Sequence, residues 1–285
     1  MNRNAFKLNP GAKVSSRTDF TDRGHTKYGD NLVGDFIDTP AYMGPVIASG
    51  GTALSYTANG KAYISRTFTG SGSLKITRGG KIGYLVVAGG GSGGPFGLGA
   101  SGPGGGGGML NSDNQSFGVY GKSIPKAGTS YVVTVGGQAS PSHIGSANQS
   151  FYIHTTAGGT GGYGPGYPGG SGGGASSNSE GFNGPCHHGG GGIAGQGHPG
   201  GGGHCHNQCG YAPHGGGGGA GGAGAMGGAG GPRPSTVYDG TSRNYAGGGG
   251  SHGDGGPCYP STSPGGGEYG MGNYQAGVVI IAHRA

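Results

Sequence analysis

The feature that most limits what this chain can become is glycine, gathered into long tracts with strand-like sequence at either end. Residues 88–108 read AGGGSGGPFGLGASGPGGGGG and follow directly on the apolar run Tyr84-Leu85-Val86-Val87. Further tracts occupy 157–174, 189–203, 215–231 and 246–256, and the chain closes through Gly277-Val278-Val279-Ile280-Ile281-Ala282. Flexible linkers share this composition. A linker, however, has no reason to end in the most apolar segment of the chain, nor to carry Phe96, Leu98, Met109, Ile193 and Met226. Residues without Cβ can also follow the left-handed, three-per-turn path of proline-rich chains, and its mirror image, with their amides directed outward. Ordering each residue costs on the order of 1–2 kcal/mol in backbone entropy, so one tract alone cannot hold that shape. Packed side by side, each residue gains a hydrogen bond worth about 0.5–1.5 kcal/mol net together with Cα–H···O contacts. The tracts are therefore expected to order together or not at all.

The flanking sequence predicts strands. Residues 62–69 mix β-branched and aromatic side chains, 73–77 alternate cleanly, and 130–135 and 149–155 follow suit, with glycine turns between them. The near-continuous apolar run at 84–87 calls for cover on both faces. The expected fold class is mainly β with irregular structure: a small β-sandwich plus a packed layer of polyglycine II helices, with almost no α-helix. Residues 47–285 read as one domain closed by the strand at 277–282. Residues 1–46, polar and interrupted by Pro10, Pro40 and Pro45, read either as a disordered tail or as an arm that orders on a partner.

Several function classes are disfavoured. The formal charge of +6 is dispersed mostly through residues 1–81 without a basic run, so nucleic acid is not an expected partner. No apolar stretch approaches the roughly 20 residues that cross a bilayer, so membrane insertion is not expected. The opening MNRNAFKLNPGAK lacks a signal-peptide core, and classical secretion is not expected either. Matches to G-x-G-x-x-G occur throughout the tracts, but none opens a predicted helix, which a phosphate loop needs. The acids Asp113, Glu180, Asp239, Asp254 and Glu268 are scattered and form no recognisable catalytic set, so the chain is not expected to be an enzyme.

One cluster resembles a metal site: Cys186-His187-His188, His198, His204-Cys205-His206, Cys209 and His214. Cys205 and Cys209 have a spacing compatible with structural zinc, and His204 and His206 fall on one side of an extended chain. Three readings stay open: polar loop residues, a structural zinc or iron held by His204, His206, Cys205 and Cys209, and disulfides among the four cysteines. No cofactor is required by the first or the last.

A family resemblance accompanies these residues. FTGSGSLKI at 68–76, YLVVAGGGSGG at 84–94, GGGGGML at 104–110, KAGTSYVVTVGG at 126–137 and GVVII at 277–281 together resemble the glycine-rich, polyglycine-helix domains of bacteriophage tail-fibre and virion-surface proteins. The similarity covers about 68–285. It implies a virion protein made in the host cytoplasm: a tail fibre or tail-tip adhesin that binds a host-surface protein or glycan. It further implies attachment to other virion proteins through residues 1–46, and a homo-oligomer, with a trimer among the forms to expect. A capsid-decoration or structural fibre without a receptor is the nearest alternative, and an ice-binding protein the next.

The connections at 162–168, 207–214, 232–246 and 257–264 are rich in Tyr, Ser, Asn, Gly and Pro, the chemistry of paratopes. The longest of them, 232–246, makes Arg233, Tyr238, Arg243 and Tyr245 the candidate receptor anchors, followed by Tyr211 and Tyr259. The competing reading is that these tyrosines cap the glycine layer and the prolines only turn the chain.

Overall fold

The computed structural model describes residues 45–94, 101–112, 125–149, 151–176, 186–203, 214–226, 228–250, 263–267 and 275–285. Residues 1–44 of the predicted arm lie outside the described residues, as do His204, Cys205, His206, Cys209, Tyr211 and Tyr259.

Among the described residues the regular structure is entirely β. The early strands are β1 (Ile47–Ser49), β2 (Thr52–Ala58), β3 (Lys61–Phe68), β4 (Gly72–Arg78), β5 (Gly83–Val87) and β6 (Met109–Asn111). Then come β7 (Thr129–Thr134), β8 (Ser142–Ile144), β9 (Ile153–Thr155), β10 (Ser235–Thr236), β11 (Arg243–Asn244) and β12 (Val278–Arg284). One five-stranded sheet has the order β1-β4-β7-β8-β9, the other β2-β3-β12-β5-β6, and β10 and β11 form a separate ribbon. The expected strands at 62–69, 73–77, 84–87, 130–135 and 277–282 are all present within a residue or two of those bounds. At 149–155 only the second half is a strand, because Gln149 closes a turn by donating its N–H to the Ser146 carbonyl.

Between β2 and β3 the turn is Asn59-Gly60, with φ of 50° and 70°. Two consecutive positive φ values are what a two-residue hairpin turn needs to match strand twist. That turn fixes the register as Ala58↔Lys61, Thr57↔Ala62 and Tyr56↔Tyr63.

The two large sheets face each other across an apolar layer. Leu74 and Ile76 of β4, Tyr131 and Val133 of β7, Ile144 and Ile153 meet Phe68, Tyr84, Val86, Leu110, Val279 and Ile281. Burying each large apolar side chain of this set contributes about 1.5–3 kcal/mol. Tyr131 packs edge-on against Phe151 with ring centres 5.3 Å apart, and its hydroxyl accepts the Lys126 N–H at 2.7 Å.

Period-two alternation sends the other residues of β5 and β12 to the opposite face. There Leu85, Val87, Val278, Ile280 and Ala282 form a second buried layer with Met109, Tyr238, Tyr245 and Ala246. The cover on both faces that the run at 84–87 calls for is thus supplied on one side by the first sheet and on the other by the segment 232–246.

From this sandwich the glycine tracts extend as a bonded layer whose pattern repeats every three residues. Gly105, Gly106, Gly107 and Gly108 donate their N–H groups to Gly159, Gly218, Gly265 and Thr156, each at 2.8 Å. The first and fourth bonds return to one tract while the second and third reach two others, which is the geometry of a three-per-turn helix with neighbours all round. The same step recurs where Gly172 bonds to His198 and Ala175 to Gly201, and where Gly215 bonds to Ala175 and Gly218 to Gly172. Residues 101–111 are buried throughout, so the layer has its own interior built of backbone. Gln196 joins layer to sandwich: its side-chain carbonyl accepts the Thr156 N–H at 2.7 Å, and its backbone carbonyl accepts that of Met109 at 3.0 Å.

Candidate receptor-binding surface

The ribbon pairs Ser235 with Asn244 and Thr236 with Arg243. Its turn is built by Asp239, whose Oδ1 accepts the Thr241 N–H at 3.1 Å and whose Oδ2 accepts the Arg243 Nε–H at 2.7 Å. The Asp239 side chain is only 10% exposed and that of Arg243 56%, so a nearly buried carboxylate fixes the turn while about half of the arginine side chain stays in solvent. Gly240 follows with φ 81°, a left-handed conformation that favours glycine.

The four residues expected as anchors in this segment divide by location. Arg233 and Arg243 are exposed. Tyr238 and Tyr245 retain only 6% and 1% of their surface, which corrects the expectation that their rings face a receptor. The physical reason is the second face of β5 and β12: those apolar side chains require a lid, and the two tyrosines supply it. Tyr238 is further fixed by its hydroxyl, 2.8 Å from Ser112 Oγ.

The Tyr245 hydroxyl is buried with no hydrogen-bond partner among the described residues. Its pKa is pushed up from 10.0 to about 12, first by burial and then by the Asp239 carboxylate, with Arg243 opposing. The fold therefore holds the neutral phenol, and stability from this group is lost as pH climbs from the unfolded value near 10 through about 12. Tyr245→Phe is expected to raise stability at neutral pH by about 1 kcal/mol, since it removes an unsatisfied buried hydroxyl. Denaturant unfolding at pH 8 and pH 11 checks this, and the gain over wild type should be larger at the higher pH.

Two other tyrosines occupy the surface. In the connection 162–168, Tyr163 and Tyr167 are 48% and 62% exposed. Their loop is held by backbone bonds from Gly166 to His188 at 2.9 Å and from Tyr167 to Thr160 at 3.0 Å. A third pair, Tyr56 and Tyr63, was not singled out by composition. Their rings stack at 5.5 Å with 19° between planes, and the Asn59-Gly60 dipeptide is the sequence signal that places them opposite each other.

For a metal, no group of three or more His, Cys, Asp or Glu side chains is assembled among the described residues. Cys186 is disulfide-bonded, its partner lying outside the described residues. That takes Cys186 out of the thiolate ligands and favours the disulfide reading for this cysteine. No helix among the described residues is long and apolar enough to cross a membrane. Compared with known proteins, the chain matches no protein-family model, no curated protein and no solved structure.

Proposed function

We propose that the chain is a bacteriophage virion protein, a tail fibre or tail-tip adhesin that contacts the host surface through loops displayed on the glycine layer. The observation that carries this reading is the division of labour in the layer: backbone bonds hold it together, and Tyr163, Tyr167, Arg233 and Arg243 are left exposed on its connections. Tyrosine and arginine are the residue types that most often supply binding energy at a centre of contact. Arginine also pairs with the phosphates and carboxylates of bacterial outer surfaces. Several copies on one particle raise effective affinity by roughly 10²–10⁴, so each loop can bind weakly. The resemblance to glycine-rich virion proteins supports the same reading, and the disulfide at Cys186 fits a particle that works outside a reducing cytosol.

The test is binding of the labelled full-length chain to bacterial cells. We expect saturable binding, reduced at least about tenfold by Arg233→Ala with Arg243→Ala or by Tyr163→Ala with Tyr167→Ala. The thermal midpoint should change little for the tyrosine pair and for Arg233→Ala alone, because those residues are exposed, whereas Arg243→Ala leaves the buried Asp239 carboxylate without its Nε–H partner and should lower it. Cell binding unaffected by both pairs would move the contact elsewhere. No binding to any cell, with the chain found on particles by immunolabelling, would favour the decoration reading.

A further inference from the structure

Between the face of the second sheet, to which all five of its strands contribute a residue, and the ribbon lies a cleft of about 440 Å³, within the range of small-molecule sites. One wall is the Tyr56–Tyr63 stack, both rings half-buried and flat against one another. The facing wall is the ribbon, through Ser235, Thr236 and Tyr238, and Asn111 contributes to the lining. These walls are fixed in advance. Gly240 sits against Tyr56 so closely that a Cβ there would lie 2.7 Å from the Tyr56 Cβ. On the other side, Ser112 Oγ accepts the Tyr84 N–H at 3.2 Å and holds the Tyr238 hydroxyl.

Among the described residues the lining combines flat aromatic surface with hydroxyl and amide groups and contains no charged side chain. A purely apolar ligand would strip water from those polar groups without replacing its hydrogen bonds. A phosphorylated ligand would find no cation among the described lining residues. An uncharged sugar satisfies both surfaces, since its C–H face covers an aromatic ring and its hydroxyls bond to side-chain oxygens and amides. We propose that this cleft is a binding site for a neutral saccharide, with Tyr56 and Tyr63 as the stacking platform and Asn111, Ser235 and Thr236 as the polar contacts. The site stands whatever particle or surface displays the chain.

The experiment is a screen of the full-length chain on an array carrying neutral glycans, with termini of glucose, galactose, mannose, rhamnose and N-acetylated hexosamines, beside sialylated and phosphorylated ones. Binding to at least one neutral glycan is expected. It should weaken at least about tenfold in Tyr56→Ala and in Tyr63→Ala, and stay within about threefold of wild type in Tyr63→Phe, which keeps the stack. Should either alanine variant fail to fold, saturation-transfer NMR on the unmodified chain gives the answer without a mutation. Irradiating tyrosine ring protons should then label the C–H protons of the bound sugar. The proposal is overturned by binding confined to charged glycans, by neutral binding indifferent to both alanine variants, or by absent transfer. A silent array also overturns the proposal, yet it leaves the adhesin reading standing, because cell binding through the exposed arginines is measured separately.

Discussion

Gly190→Ala is expected to abolish the folded state, whereas Gly191→Ala, one residue further on, should leave it intact. The substitutions are chemically identical and fall in the same tract. A methyl group on Gly190 would land on the Tyr167 carbonyl and on the start of Pro168, where another backbone already lies. Gly190 also donates to the Gly173 carbonyl at 2.8 Å and accepts from Gly200 at 2.9 Å, so moving it disturbs the tract at 157–174 and the far end of its own. At Gly191 an added Cβ meets nothing within 4 Å, and its φ needs no left-handed backbone. Overpacking a conventional core costs about 1–3 kcal/mol because side chains can shift. A layer made of backbone has no rotamers to adjust, so the cost at Gly190 should exceed that range. Soluble yield and thermal melts of the two purified variants decide it. Equal melting of both would mean that the layer separates easily, and the close packing would count for little.

Removing residues 277–285 should be as damaging, for a different reason. β12 is the middle strand of its sheet, paired along one edge with β3 from Val279↔Phe68 to Arg284↔Tyr63 and along the other with β5 from Val278↔Val87 to Ala282↔Gly83. Val279 and Ile281 fill the layer between the sheets, while Val278 and Ile280 fill the layer beneath the ribbon. Losing the strand splits the sheet, opens both cores and leaves two edges unpaired, which invites aggregation. The truncated chain should be insoluble or lack cooperative unfolding by circular dichroism. Restoring the segment as a synthetic peptide during refolding should recover part of the native signal.

Much of this arrangement can be read from residue order alone, and where the reading stops is instructive. The run at 84–87 predicts a strand covered twice because no alternation marks a solvent side, and β5 is covered on both faces. The tracts predict mutual bonding because a lone glycine helix cannot offset its entropy, and the three-residue bond pattern bears that out. Composition misleads at 232–246. Tyr238 and Tyr245 have the chemistry of paratope residues, yet the same amphipathic ring is suited to closing an apolar face. Only the three-dimensional position of β5 and β12 tells the two uses apart. The stack of Tyr56 on Tyr63 stands between these cases: it follows from the Asn59-Gly60 turn by counting outward along the hairpin, but needs attention to register rather than to residue type.

The three-residue bond pattern also determines how this chain behaves under load. In a pleated sheet all bonds of an edge strand lie in one plane, and a pull at its end opens them one after another like a zip. The segment 105–108 is gripped from different sides by Gly159 and Thr156, by Gly218 and by Gly265. A force that opens one of these bonds loads the others in shear, and no single seam runs along the tract for a tear to follow. Tension applied at an outer turn is therefore spread sideways through the layer before it reaches the sandwich.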